Sequence, residues 1–284
     1  SLLVEQATKK AKNNMKDNLI KYTIPILLII IGLFDNDFWH SPFTRAGIIS
    51  LITLILGWLI DNYKQLILII NTQILHRKKD FRLSIAYLYR IKVDNEYLLV
   101  KSRTRNYYQP VGGCYKTLPS SSAIFEKLEV KPDRKFETEK GIAKNDLRVY
   151  VRGKNVISFL KWFDSKKDRE ISPWREFCEE LISEDILPWR QFRFIDYEFK
   201  KKIQSPIIKL DSGGKGIFIF EIFDLVINNE QLPILEKLKL EKESNKFIWV
   251  TDDLIQTLGH SLNSKEYMFE ISPHTKYAQN LKWE

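Results

Sequence analysis

The chain has 284 residues, with 45 Lys and Arg against 36 Asp and Glu and a formal net charge of +9. That length holds a membrane segment plus one good-sized globular domain with its own core, and the basic balance suits an anionic partner: lipid headgroups, a nucleotide or nucleic acid. Cys114 and Cys178 stand far apart without metal-ligand spacing, which argues against a disulfide scaffold or a zinc site and suits a reducing cytosol.

Two apolar runs come first. Residues 19–34 and 46–60 are dominated by Ile and Leu although the mean hydropathy of the chain is negative. Unpaired amides in hydrocarbon cost several kcal/mol, so a spanning segment must be helical, and roughly 20 residues cover the hydrocarbon core. Each run is short by that measure and gains length from its flanks. For the first, Lys21 snorkels at one end and Phe38 and Trp39 sit at the other interface; the second gains Phe43 and the stretch from Trp58 to Tyr63. Pro25 lies near the start of the first run, where a missing donor matters least.

A pair of helices buried in a soluble core would also fit runs of this length, but charge favours a membrane. Lys9, Lys10, Lys12, Lys16 and Lys21 precede the pair, and Lys64, Arg77, Lys78 and Lys79 follow it. The connecting loop holds Asp35 and Asp37 with Arg45. The positive-inside tendency then puts both termini in the cytoplasm. No small-residue cleavage pattern follows the first run, which argues against a signal peptide. The expected order is a basic N-terminus at 1–18, a two-helix transmembrane hairpin at 19–63, a coupling helix and basic linker at 64–79, and a globular domain at 80–284. Asn71, Thr72 and Gln73 break the apolar coupling stretch, and the basic run from His76 to Lys79 suits anionic headgroups.

From Phe81 the pattern acquires the period of strands. Strands are expected at 84–92 and 96–103, with Asp94 and Asn95 as turn residues between them. A hairpin follows at 147–151 and 156–163 around Gly153, Lys154 and Asn155, with further strands at 192–203, 216–227 and 246–250. Ser172 and Pro173 open a helix that starts at Trp174, Ser being a good N-cap and Pro a good first helical residue. A closing helix starts at Thr251, Asp252 and Asp253. The expected class is α+β: the hairpin, then a mixed sheet with flanking helices.

Taken together, the strand reading LLVKSR, the loop into QPVGG, the helix reading REFCEEL and the closing FIWVTDDL resemble a Nudix domain. Only the second half of that family's box is present. Glu176, Glu179 and Glu180 align with the carboxylates that hold divalent cations in Nudix hydrolases, and Arg175 aligns with the arginine that orients them. Their spacing puts the three glutamates on one helical face, as a magnesium cluster requires. Departures weaken that inference: an insertion separates Gly113 from Arg175, Lys167 stands at the place of the box's leading glutamate, and Leu181, Ile182 and Ser183 follow where a glycine belongs.

The whole arrangement, a membrane hairpin ahead of a divergent Nudix domain, is similar to the transmembrane Nudix effectors of CBASS, bacterial cyclic-oligonucleotide antiphage signalling. The resemblance implies an inner-membrane protein whose cytosolic domain binds a cyclic di- or trinucleotide and whose hairpins assemble as a homo-oligomer that disrupts the bilayer. It implies no required cofactor and no nucleic acid polymer as partner. The alternative is a membrane-anchored Nudix hydrolase of nucleoside diphosphate derivatives, for which magnesium would be the cofactor and enzyme activity is left open. Phosphates call for basic side chains and bases for aromatic faces. The candidates are Lys101, Arg103, Arg105, Tyr107 and Tyr108 ahead of Gly112 and Gly113, Arg148 and Arg152 from the insertion, and Tyr197.

Overall fold

The computed structural model describes residues 22–133, 144–260 and 268–283. The expected basic N-terminus at 1–18 lies outside them. The chain divides into two compact units, Ser1–Leu68 and Ile69–Glu284.

The described part of the first unit is two helices, α1 (Tyr22–Gly32) and α2 (Pro42–Ile69). They run antiparallel and meet through glycines. A Cβ added at Gly32 would lie 2.0 Å from Thr44 Oγ1, and one at Gly47 would lie 2.7 Å from both Ile29 Cγ1 and the Pro25 carbonyl oxygen. Much of the apolar surface of α2 stays exposed, including Ile49, Ile52, Leu56, Trp58 and Ile60. Its polar side chains bond to its own backbone: Ser50, Thr53 and Asn62 donate to the carbonyls of Ala46, Ile49 and Trp58.

The chain continues from α2 without a break into a π-helical turn, Ile70–Leu75. The continuous helix Pro42–Leu75 has 34 residues, or about 50 Å at ~1.5 Å per residue. Among the described residues it is the one helix long and apolar enough to cross a membrane, by length and composition. Tyr22–Gly32 is a shorter apolar helix whose first residue is also the first one described. A coupling helix separate from the second apolar run is therefore not observed. The stretch has no Gly or Pro to break it, and Asn71 is absorbed into the π turn, where its carbonyl accepts the His76 N–H at 2.9 Å.

The second unit holds two sheets. The larger has β6 (Lys131–Pro132), β7 (Arg148–Arg152), β1 (Asp80–Arg90), β10 (Lys215–Val226) and β8 (Asp196–Gln204) in that order. Strand β5 (Gly112–Cys114) also pairs with β1, and β9 (Ile208–Lys209) with β10. β1 and β10 are parallel and the remaining pairs antiparallel, so the sheet is mixed. The smaller sheet has β11 (Phe247–Thr251), β3 (Glu96–Lys101) and β2 (Lys92–Val93), with β4 (Tyr108–Gln109) beside β3. Asp94, at φ 52°, turns β2 into β3.

The insertion between Gly113 and Arg175 is structured around its undescribed residues. It supplies β6, β7, α3 (Ser122–Lys127) and α4 (Gly153–Asp164), the two strands extending the sheet beyond β1. The hairpin expected at 156–163 is instead α4. Val156, Phe159, Leu160 and Phe163 recur at helical spacing and are all buried on one side of it. A short apolar run is ambiguous between the two periods, and here the helical one prevails.

The helix opened by Ser172 starts as α5 (Trp174–Phe177), with Ser172 Oγ accepting the Trp174 N–H at 3.2 Å. It passes into a π turn at Cys178–Ile182, closed by the Ser183 N–H on the Cys178 carbonyl at 2.8 Å. Phe177 packs edge-on against Tyr89 of β1 at 5.6 Å between ring centres. After α6 (Trp189–Phe192) and α7 (Leu232–Leu240), the expected closing helix is only α8 (Asp252–Gln256), and α9 (His274–Asn280) covers the sheet beyond it. Ala278 of α9 joins Ala86, Leu88, Phe220 and Ile222 in one buried cluster.

Candidate functional site

The site lies where β1, β5 and β10 present one face. Arg82, Ser84, Ala86 and Leu88 alternate along β1 and line a cleft of about 260 Å³ together with Phe218 and Phe220 of β10 and His274 of α9. Two glycines of β5 bring the box helix onto this face. Gly112 has φ 149°, and a Cβ there would lie 2.1 Å from the Tyr87 carbonyl oxygen; at Gly113 it would lie 2.1 Å from Glu176 Oε1. The Gly112 N–H donates to Glu180 Oε2 at 2.9 Å.

Glu176, Glu179 and Glu180 lie together, and guanidinium groups fill the space among them. Arg103, from the loop after β3, donates to Glu176 Oε2 at 2.8 Å and to Glu179 Oε2 at 3.0 Å, and its Nη2 lies 3.9 Å from Glu180. Arg175 holds the opposite oxygens, donating to Glu176 Oε1 at 2.7 Å and Glu179 Oε1 at 3.2 Å. It also donates to Glu170 Oε1 at 3.0 Å and to the Cys114 carbonyl at 2.9 Å. Burial, then the negative charge of Glu176, pushes the Glu180 carboxyl up to about 8.

Magnesium needs a near-octahedral set of oxygens at about 2.0–2.1 Å, whereas the oxygens here are engaged by cations and a backbone amide. Among the described residues, no group of three or more His, Cys, Asp and Glu is arranged to hold a metal. The residues as they stand do not fit the ion.

Of the ligand candidates, Arg103, Arg105, Tyr107, Gly112, Gly113 and Arg148 line the cleft. The Arg105 guanidinium stands 5.8 Å from the centre of the Tyr107 ring and has no ion pair among the described residues. Arg148 is steadied by Asp146 at 3.1 Å and by Cys114 Sγ at 3.0 Å. The other four candidates lie elsewhere. Lys101 bonds Asn106 at 2.7 Å, and Tyr108 packs on Phe269 beside the smaller sheet, its hydroxyl on the Ser244 carbonyl. Arg152, at the far end of β7, pairs with Glu129 at 3.4 Å, and Tyr197 packs against Tyr89 and Phe223.

Several residues of the site carry no local signal in the sequence. Arg82 is buried and pairs with Asp133 at 2.6 Å across a long stretch of chain. Glu170 clamps Arg175, while Lys167, which a gapless count sets at the box's leading glutamate, is exposed. His274 is lowered to about 4 by burial and then by the charge of Arg105, so it presents a neutral ring to the cleft beside Phe220, 5.1 Å away. The period-two run Arg82-x-Ser84-x-Ala86-x-Leu88 is the one pattern that points to the β1 wall.

A mixed sheet carrying a glycine-loop strand against an Arg-Glu-x-x-Glu-Glu helix defines a Nudix-like domain. The chain belongs to the SMODS-associated NUDIX domain family, whose model matches residues 80–279. It is thus a CBASS-associated Nudix domain carrying an additional N-terminal helical unit. Comparison with curated proteins and with solved structures returned no match.

Proposed function

We propose that this chain is a CBASS effector whose Nudix-like domain binds a cyclic oligonucleotide and whose helical unit disrupts the membrane in response. The observation that carries the reading is the cleft itself. Arg103, Arg105 and Arg148 offer donors to phosphate oxygens, and Tyr107, Phe218 and His274 offer ring faces to bases. The same cleft holds its acidic cluster against Arg103, which favours recognition of phosphates over metal-assisted hydrolysis.

At about 260 Å³ the cleft lies at the low end of the ~300–1,000 Å³ typical of ligand pockets. A cyclic di- or trinucleotide repeats its phosphate and base, so one unit fits one cleft and the remainder reaches a second copy of the domain. That supports homo-oligomerisation on binding, as a shift towards the assembled state the ligand prefers.

In this reading the two antiparallel helices form a transmembrane hairpin in the bacterial inner membrane, with both termini cytoplasmic. The exposed apolar side chains of α2 support it, because leaving them in water costs about 25 cal/mol per Å². The Gly32 and Gly47 contacts supply the close approach that lipid-embedded helices use.

The test is calorimetric titration of the full chain in detergent micelles with cyclic di-GMP, cyclic di-AMP, cyclic GMP-AMP and cyclic triadenylate, with ADP-ribose and GDP-sugars alongside. Tight binding of one cyclic species, recovered intact, is expected. Magnesium-dependent breakdown of ADP-ribose or a GDP-sugar would instead establish the membrane-anchored hydrolase.

A further inference from the structure

We infer that the Arg103 guanidinium takes the place of a divalent cation within the Glu176, Glu179 and Glu180 cluster, so that a phosphate is received in this cleft without metal. The part concerning phosphate rests on the proposed nucleotide-binding role; the part concerning the metal does not.

Three carboxylates in close proximity repel one another unless a positive charge stands among them. Arg175 supplies some of that charge from the inner side, with its donors committed to Glu170, Glu176, Glu179 and the Cys114 carbonyl. Arg103 supplies the rest from the cleft side. It reaches one oxygen of Glu176 and one of Glu179 and lies 3.9 Å from Glu180, the bridging position a metal would need.

A dication entering there meets a fixed positive charge within contact distance and must displace two charge-assisted hydrogen bonds. Arg103 has five N–H donors, and two of them bond the glutamates among the described residues. Arg103 lines the cleft together with Arg105, which leaves its remaining donors for an anion bound there. The guanidinium thus holds the acidic cluster on one side and presents donors to phosphate on the other.

The direct test uses Mn²⁺ alone, followed by its electron paramagnetic resonance signal in the full chain in detergent micelles. R103A is expected to gain one Mn²⁺ site at this cluster that binds at least roughly tenfold tighter than any binding there in wild type. R103K keeps a charge in place and gains none, and R103A/E176Q loses the gained site. R103Q serves in the same role should the alanine variant fail to fold.

Mn²⁺ binding to wild type as tight as to R103A, or no gain in either neutral variant, would overturn the inference. No nucleotide enters this titration, so its failure leaves the nucleotide-binding proposal standing, and a blank nucleotide panel leaves the metal result standing.

Discussion

Arg103 Nη2 lies 2.8 Å from Glu176 Oε2, joining the loop after β3 to the box helix across the mouth of the cleft. Glu176 is buried, and its other oxygen takes Arg175. Replacing Glu176 by Ala therefore removes one acceptor from each of two guanidinium groups, which keep their bonds to Glu179. Removing one partner of a buried pair costs about 3–5 kcal/mol, and the partial exposure of Arg103 reduces that to roughly 2–3 kcal/mol here. Urea denaturation followed by tryptophan fluorescence measures the loss; a change under about 0.5 kcal/mol would mean the pairs contribute nothing.

Glu180 makes stability depend on pH. Its folded pKa of about 8 stands above the unfolded value of about 4.3. The folded chain binds the extra proton between those values, so the contribution is complete below about pH 4 and is lost as pH rises towards 8. Glu180→Gln removes that slope. The variant should match the parent near pH 4 and exceed it near pH 9 by an amount on the order of a few kcal/mol. Parallel slopes for the two proteins across this range would refute the assignment.

Gly112 and Gly57 make a matched pair of alanine substitutions. Alanine at Gly112 meets a φ of 149° and a carbonyl 2.1 Å away, while alanine at Gly57 meets nothing within 4 Å. Gly112→Ala should cost more than about 1 kcal/mol and loosen the box helix, whereas Gly57→Ala should be neutral or slightly stabilising. Denaturation midpoints for the two variants decide it; equal midpoints would contradict the geometry.

The joint between the π turn and the Nudix-like domain is tight. A Cβ at Gly153 would lie 2.4 Å from the His76 carbonyl oxygen and 2.5 Å from that of Thr72, and the Gly153 N–H bonds the Lys79 carbonyl at 2.9 Å. Gly153 also follows β7, whose other end carries Arg148 of the cleft. Gly153→Val should part α4 from the π turn, leaving nucleotide affinity within about twofold while abolishing the membrane response. Loss of both together would mean the joint serves folding alone.

Much of the domain is legible in the sequence because β1, β3 and β10 combine strand period with dense apolar content. The box helix announces itself through Ser172, Pro173 and REFCEEL. What is hidden is of two kinds. The run from Val156 to Phe163 is short and apolar enough to read as a buried strand, and the i, i+3, i+7 spacing of Val156, Phe159 and Phe163 is what belongs to the helix. Pairs such as Arg82 with Asp133, and Arg103 with Glu176, join positions distant in the chain, so no local spacing reveals them. Glu170 escaped because a gapless count from Arg175 falls on Lys167, whereas the loop carries Glu170 back to the arginine.

The most direct test of the effector account is dye release from vesicles. Full-length chain is reconstituted into phosphatidylethanolamine and phosphatidylglycerol vesicles loaded with carboxyfluorescein, and the same four cyclic nucleotides are added in turn. The account predicts rapid leakage with the species the domain binds, with that nucleotide recovered unbroken. Intact vesicles with every nucleotide, or nucleotide breakdown without leakage, would contradict it.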